Sequence, residues 1–183
     1  PKAADTLDSK EARLDVSKVE GGVFVVGGSG VAAQTLKGRG TVEGIVQLGA
    51  GATIAPGNSI DTQTFAGGLV TKSGSVYEAE YTMSGGEFAK DMIQVVAGAS
   101  GSTGAVVLEG GVVKPKAEKI LTDFHTEHVL EILSAAGGVT GAFEGIYQTA
   151  AIRARLEYVD SGSLVVAALP AGVSVIGTLN IGA

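Results

Sequence analysis

The chain contains no cysteine and no tryptophan, and aromatic residues make up only 5% of it. Without cysteine, neither a disulfide framework nor a thiolate metal site can form. The shortage of large aromatic side chains disfavours a two-sheet sandwich, in which they usually fill a gap of about 10 Å between the sheets. Proline is also scarce, with 4 residues against 29 glycines, and 45% of the residues are hydrophobic. This composition excludes a collagen-like repeat and a disordered linker.

Basic residues are scattered and too few to form a stripe along which phosphates could bind. The 13 Lys and Arg residues are outnumbered by 19 Asp and Glu, for a net charge of −6. We therefore expect no nucleic acid partner. No apolar run approaches the roughly 18 residues of a membrane-spanning helix. The first ten residues, PKAADTLDSK, lack the apolar core of a signal peptide. If the protein is secreted, we expect this chain to be a processed part of a longer one.

Short aliphatic runs separated by glycines fill most of the sequence. Four of these runs begin at Val23, Ile45, Leu69 and Ile93, a spacing of about 22 to 24 residues that is typical of solenoid repeats. In a β-solenoid each coil stacks on the next, and small aliphatic side chains form one continuous column. At 183 residues the chain is long enough for a single domain with its own core. The sequence therefore predicts an all-β protein, a single-stranded β-solenoid.

Two segments alternate strictly between apolar and charged residues. In residues 76–81, Tyr77, Ala79 and Tyr81 share one face, and Glu78 and Glu80 share the other. This pattern predicts a half-buried strand with both glutamates in solvent. Residues 152–158 predict a second such strand, with Ile152, Ala154, Leu156 and Tyr158 on the buried side.

Two charged segments interrupt the β pattern. Near the N-terminus, Asp8 is a suitable helix cap and is followed by good helix formers, so a short capping helix is predicted over residues 8–14. Such a helix would cover the open strand edge at the end of a solenoid. The second segment, residues 114–119, contains Lys114, Lys116 and Lys119. We expect it to project as a candidate contact loop.

Apparent ligand-binding motifs lack the context that their chemistry needs. Val23–Val26 precedes a G-x-G-x-x-A pattern, but no βαβ unit follows it, so no nucleotide is expected. His125 and His128 are the only histidines. A zinc site would need a third convergent ligand, and loosely packed histidines are the preferred interpretation. We predict no metal site and no cofactor.

Catalytic carboxylates are not predicted either. Glu78 and Glu80 lie on one exposed strand face, where nothing raises a pKa. Asp61, Asp91 and Glu109 stand isolated between small residues. The serines next to glycine do not lie in a G-x-S-x-G motif. We expect no catalytic residues and therefore no enzyme.

Three segments in order resemble a known family. Residues 36–65 form a glycine-rich repeat that runs into A-P-G-N-S-I-D, residues 91–99 read DMIQVVAGA, and residues 132–143 read ILSAAGGVTGAF. Together they resemble the C-terminal, autochaperone-like part of the passenger domain of bacterial autotransporters, the type V secretion proteins.

The resemblance implies a right-handed parallel β-helix over residues 21–169. Residues 1–20 would be an N-terminal cap, and residues 170–183 a C-terminal strand or linker toward the protein's own outer-membrane β-barrel, which lies outside this chain. The implied location is extracellular or on the bacterial cell surface. The function-bearing residues would be structural turns at Pro56, Gly57, Asn58, Ser59, Gly137 and Gly138. The implied roles are a stalk that supports folding and export and presents a surface to a host-cell protein or glycan. The alternatives are an adhesin that acts directly through its β-helix face and, less favoured, a polysaccharide-active enzyme on the same scaffold.

Overall fold

The computed structural model describes residues 7–84, 87–118, 128–148, 152–159 and 163–170. These residues form fifteen β-strands and one short 3₁₀ helix, Glu20–Gly22. None of the described segments is a helix long and apolar enough to cross a membrane. The strands are β1 Leu7–Asp15, β2 Val23–Val26, β3 Gln34–Leu48, β4 Ala52–Pro56, β5 Thr62–Lys72, β6 Val76–Ser84, β7 Glu87–Lys90, β8 Met92–Val96, β9 Ala105–Glu109, β10 Val112–Ala117, β11 His128–Ala135, β12 Val139–Ala142, β13 Gly145–Ile146, β14 Ile152–Val159 and β15 Ser163–Pro170.

Most strands belong to three parallel stacks. The first stack contains β1, the middle of β3, the start of β5, β8 and the end of β11. The second contains β2, the end of β3, the end of β5, β9 and β12. The third contains the start of β3, β4, β6, β10 and β13. The chain passes through the three stacks in this order five times, and we call each passage a coil.

Because β3 takes part in all three stacks, the strands form one curled, mostly parallel sheet. This arrangement confirms the predicted all-β class and is consistent with a parallel solenoid.

Side chains at matching register positions form columns on the inner side of each stack. All of them belong to one core cluster or pack against it. From coil 1 to coil 5, the columns are Leu14, Val42, Phe65, Val95 and Ala135 in the first stack; Phe24, Val46, Leu69, Val106 and Val139 in the second; and Leu36, Ile54, Tyr77, Val113 and Ile146 in the third.

The predicted period holds for the first coils and then fails. Val23–Val26 pairs with residues 45–48, and these pair with residues 68–71, so the first three runs share the second stack. The fourth run, starting at Ile93, pairs with residues 63–66 in the first stack instead. The reason is an insertion, because β6 continues past its stack and β7 returns antiparallel to it. Because of the residues in this hairpin, the run that starts at Ile93 lies in the first stack. A constant period would have placed it in the second stack.

The predicted N-terminal helix is wrong, because Leu7–Asp15 is strand β1, parallel to β3. Ala12 and Leu14 pack against the core at a spacing of two, and Val16 is buried next in that series. Arg13 forms an ion pair with Glu43 of the next coil. Pairing with coil 2 therefore overrides the local helix propensity.

Both ends of the stacks have strands that pair on one side only within the described residues, and the C-terminal end carries an added hairpin. Within the described residues, the strands of coil 1 pair with coil 2 on one side only. At the other end, β15 adds antiparallel to β11, and β14 pairs with β15. The amide of Gln148 bonds both to the N–H (2.9 Å) and to the carbonyl (2.7 Å) of Ala154 on β14. Ala154 is fully buried, so β14 packs against the last coil, and the hairpin extends the first stack, whereas β12 and β13 have no further partner among the described strands.

The alternating pattern of β14 is confirmed only in part. Ala154 and Leu156 face the core as predicted. Tyr158 is 44% exposed instead, and its hydroxyl accepts a hydrogen bond from the Phe143 N–H at 3.0 Å. The side chain of Tyr158 therefore ties β14 to the last coil without entering the core.

Truncation of Phe65, the middle residue of the first-stack column, should destabilise the whole fold. Phe65 is fully buried between Val42 and Val95. We expect Phe65→Ala to lower the free energy of unfolding by about 3 to 5 kcal/mol, because a cavity opens in the core. Urea unfolding measures this change. Thr64→Ala, on the outer side of the same strand, is the matched control and should cost much less. If both variants lose the same free energy of unfolding, the column of inner side chains does not stabilise the fold as argued.

Candidate functional site

The first predicted turn lies at the corner between β4 and β5 and contains Pro56, Gly57, Asn58 and Ser59. Gly57 has φ +74° and donates its N–H to the Gly38 carbonyl of the preceding coil at 2.8 Å. A Cβ atom at this position would lie 1.9 Å from the Ser59 carbonyl oxygen. The Ser59 hydroxyl donates at 2.5 Å to the carboxylate of Glu118, which follows β10 of coil 4. The corner therefore contacts an earlier and a later part of the stack, and only glycine fits its second position.

The second predicted turn, Gly137 and Gly138, joins β11 to β12. The Gly137 N–H donates to the Gly104 carbonyl (3.0 Å), and the Gly138 carbonyl accepts from the Val106 N–H (2.9 Å). A Cβ at Gly137 would approach the Thr103 carbonyl to 2.8 Å. This turn is thus held against coil 4 by backbone hydrogen bonds on both sides of the corner.

The predicted contact loop is a strand. Lys114 and Lys116 lie on the outer face of β10, and Pro115 between them is buried. Lys119 lies outside the described residues. The expectation of a projecting loop was wrong because the alternation continues through the charged residues, and Val112–Ala117 pairs along its whole length with β6.

The two lysines are paired with the glutamates of the neighbouring coil. Lys114 lies opposite Glu78 and bonds to it at 3.0 Å. Lys116 lies opposite Glu80 and bonds to it at 2.5 Å, with a second contact to Glu78 at 3.2 Å. The side chains of Glu78 and Glu80 are only 20% and 12% exposed. The prediction that both glutamates lie on the outer face, opposite the buried Tyr77, Ala79 and Tyr81, is confirmed, but they are less exposed to solvent than predicted.

Hydrogen bonding fixes the charge state of this face. Burial raises the pKa of Glu78, but the hydrogen bonds from Lys114 and Lys116 outweigh it and hold the pKa below its usual value. Hydrogen bonds to Glu80 and Glu78 raise the pKa of Lys116. Two cations and two anions thus cancel at neutral pH. The face is not a positive patch that would attract an anionic ligand.

An open groove of about 400 Å³ lies beside these ion pairs. Its lining residues are Thr53, Val76, Glu78, Lys114, Pro115, Tyr147 and Gln148. Tyr147 is 54% exposed, and its N–H donates to the Val113 carbonyl at 2.8 Å. The groove therefore has a backbone fixed at Tyr147, one exposed aromatic ring, and both polar and apolar side chains along its walls. No local pattern in the sequence predicts this groove, because its residues come from four coils.

The structure also brings together Asp61 and Asp91, two aspartates that stand apart in the sequence. Asp61 precedes β5 and Asp91 precedes β8, so they occupy the same corner of adjacent coils. Asp91 is fully buried, and its carboxylate accepts hydrogen bonds from the Asp61 N–H (3.1 Å) and the Glu80 N–H (2.9 Å). Glu109 is elsewhere, paired with Lys72. The prediction that Asp61 and Asp91 are isolated was wrong. The β6–β7 insertion lengthens the chain between them, so the repeat spacing does not show that they share a corner.

This corner is not arranged for catalysis. The carboxylate of Asp91 has no exposed surface on which a substrate could bind. Within the described residues, no group of three or more potential ligands could hold a metal ion. His128 begins β11, and His125 lies outside the described residues.

Comparison of the chain with models of known protein families and with curated protein sequences finds no match.

A Cβ at Gly57 should disrupt the first corner. We expect Gly57→Ala to lower stability by more than about 2 kcal/mol, because backbone strain at positive φ is combined with a clash. Gly21→Ala is the matched control, since Gly21 has φ +79° and nothing within 4 Å of the added atom. Thermal unfolding of both variants separates strain from clash. If the two variants lose the same stability, the close approach to Ser59 does not matter.

Proposed function

We propose that this chain is the C-terminal part of an autotransporter passenger, a right-handed parallel β-helix that supports folding and export and stands at the cell surface. The observation that carries this proposal is the repeated passage of the chain through three registered stacks around one core. A stacked core of this kind grows by adding coils, as expected of a stalk.

The hairpin added at the last coil supports the C-terminal position. The β14–β15 hairpin extends the first stack beyond β11, and β14 is tied to coil 5 by Gln148 and Tyr158. Two inner side chains are only partly buried at each end of the stacks, Leu14 and Phe24 in coil 1 and Val139 and Ile146 in coil 5. Further coils stacked on coil 1 would bury Leu14 and Phe24 and pair the open strand edge. In this proposal the end with the hairpin faces the β-barrel partner, and coil 1 faces the rest of the passenger.

Folding can contribute to export in this proposal. A segment that folds into a registered stack outside the membrane cannot return through a narrow pore without unfolding. The free energy of folding therefore biases movement outward, just as a ligand that binds only one state shifts an equilibrium. The C-terminal coils emerge beside the barrel and provide the template on which the next coils pair.

An adhesin role is the second candidate, and the groove at Tyr147 favours it. Exposed tyrosine rings present apolar area with a polar tip, which suits binding partners of mixed polarity. The adjacent lysines are neutralised by Glu78 and Glu80, so an uncharged host-cell glycan is a better fit than a sulfated one. The stalk and the contact surface can coexist in one chain.

Surface display should depend on the core. With the chain fused to the translocator barrel of an autotransporter, we expect Phe65→Ala to reduce the amount displayed on the cells, because the stack folds less readily. Thr64→Ala should leave display unchanged. Flow cytometry with an N-terminal epitope tag measures it. Full display of Phe65→Ala, despite lost stability in vitro, would show that folding does not contribute to export.

The adhesin candidate is tested at the groove. We expect Tyr147→Ala to reduce binding to host cells and to neutral glycans on an array by about tenfold, the effect of losing about 1.4 kcal/mol of contact energy. Val31→Ala is the control, because Val31 is similarly exposed at 51% but lies outside the groove. Unchanged binding of the Tyr147 variant would remove the groove from the proposal.

A further inference from the structure

One amide side chain lies inside the core without a protein partner. Gln63 on β5 is fully buried and shares the inner face with Phe65. Among the described residues, neither the amide nitrogen nor the amide oxygen of Gln63 has a hydrogen-bond partner. A glutamine amide offers two donors and two acceptor positions. Leaving such groups unsatisfied in a core costs more free energy than one hydrogen bond usually contributes. Buried polar groups are therefore normally bonded either to protein or to an internal water.

The column that contains Gln63 has a side chain on one side only. In register with Gln63, Gly40 lies in coil 2, Ile93 in coil 4 and Leu133 in coil 5. Ile93 and Leu133 are buried apolar residues that offer no hydrogen bond. Gly40 is also buried on the inner face, but it contributes no side chain. Any partner for the amide must therefore be sought on the coil 2 side.

The pairing between coils 1 and 2 is interrupted at the same register position. β1 pairs Asp8 with Arg39 and then Arg13 with Thr41, so residues 9–12 face the single residue Gly40. A bulge of this kind leaves its extra residues without partners in the ladder. Backbone N–H and C=O groups that lack a ladder partner therefore lie beside Gly40.

We propose that Gln63 and the β1 bulge bind one internal water molecule next to Gly40, which bridges the glutamine amide to the backbone of coil 1. Adjacent strands lie about 4.8 Å apart, so coils 1 and 3 are about 10 Å apart, a gap too wide for a direct backbone hydrogen bond. A glutamine side chain and one water span it. A buried water needs two to four polar partners, and the amide and the bulge together supply them. The proposal is independent of the autotransporter assignment, because it rests on these coils alone.

The test is urea unfolding of Gln63→Met, which keeps the length and the unbranched shape of the side chain but removes the amide. We expect the folding equilibrium constant to fall by about tenfold, because the water and the bulge lose a bonded partner. Gln94→Met, on the exposed face of the neighbouring strand β8, is the matched control and should change the constant little. A constant that is unchanged or higher in Gln63→Met would overturn the proposal, because an amide without any partner is better replaced by an apolar side chain.

A second measurement covers the case in which Gln63→Met does not fold. A high-resolution crystal structure of the wild-type protein should show one ordered water within hydrogen-bond distance of the Gln63 amide and of a backbone group in residues 9–12. In NMR spectra, the side-chain amide protons of Gln63 should show a nuclear Overhauser effect to a long-lived water. An amide bonded directly to protein, or one with no ordered water beside it, would overturn the proposal.

Discussion

The register between successive coils is the constraint on which the rest of this structure depends. In a parallel stack each side chain lies beside the matching position of the next coil, as Val42, Phe65 and Val95 do. A slip of one residue would turn a whole column from the core to the solvent. Every connection must therefore return the chain to its place, whatever its length. Gly57 and Gly137 serve this requirement, since each is hydrogen-bonded to a neighbouring coil and neither corner has room for a Cβ.

The same register organises the outer surface. Lys72 lies opposite Glu109 in the second stack, and Lys114 lies opposite Glu78 in the third. Each such exposed pair contributes only about 0.2 to 1 kcal/mol, so stability comes chiefly from the inner columns. Opposite charges at matching positions do favour the correct register, because a slipped coil would lose them. The outer face is neutral where these pairs lie, and the groove with the exposed ring of Tyr147 lies beside them.

Local patterns in the sequence were sufficient where the chain follows its own period. The runs at Val23 and Ile45 lie side by side because nothing is inserted between them, and the alternation of Tyr77, Ala79 and Tyr81 is a property of the strand itself. Two of the failed predictions show the physical reasons most clearly. The segment Leu7–Asp15 has helix-forming residues, but pairing with coil 2 decides its structure. The shared corner of Asp61 and Asp91 depends on a hairpin that no local pattern announces.

The position of the insertions bears on how such a stack forms. A regular coil closes over about 23 residues, and the entropy cost of loop closure rises only slowly with length. The β6–β7 hairpin adds little cost on that account, because its own antiparallel pairing is local. The two ends of the hairpin must still be held in place, because otherwise coil 4 would have no defined starting point. The buried carboxyl of Asp91 supplies that attachment with two accepted hydrogen bonds. The join between coils 3 and 4 therefore depends on one side chain, because both accepted hydrogen bonds end on the same carboxyl group.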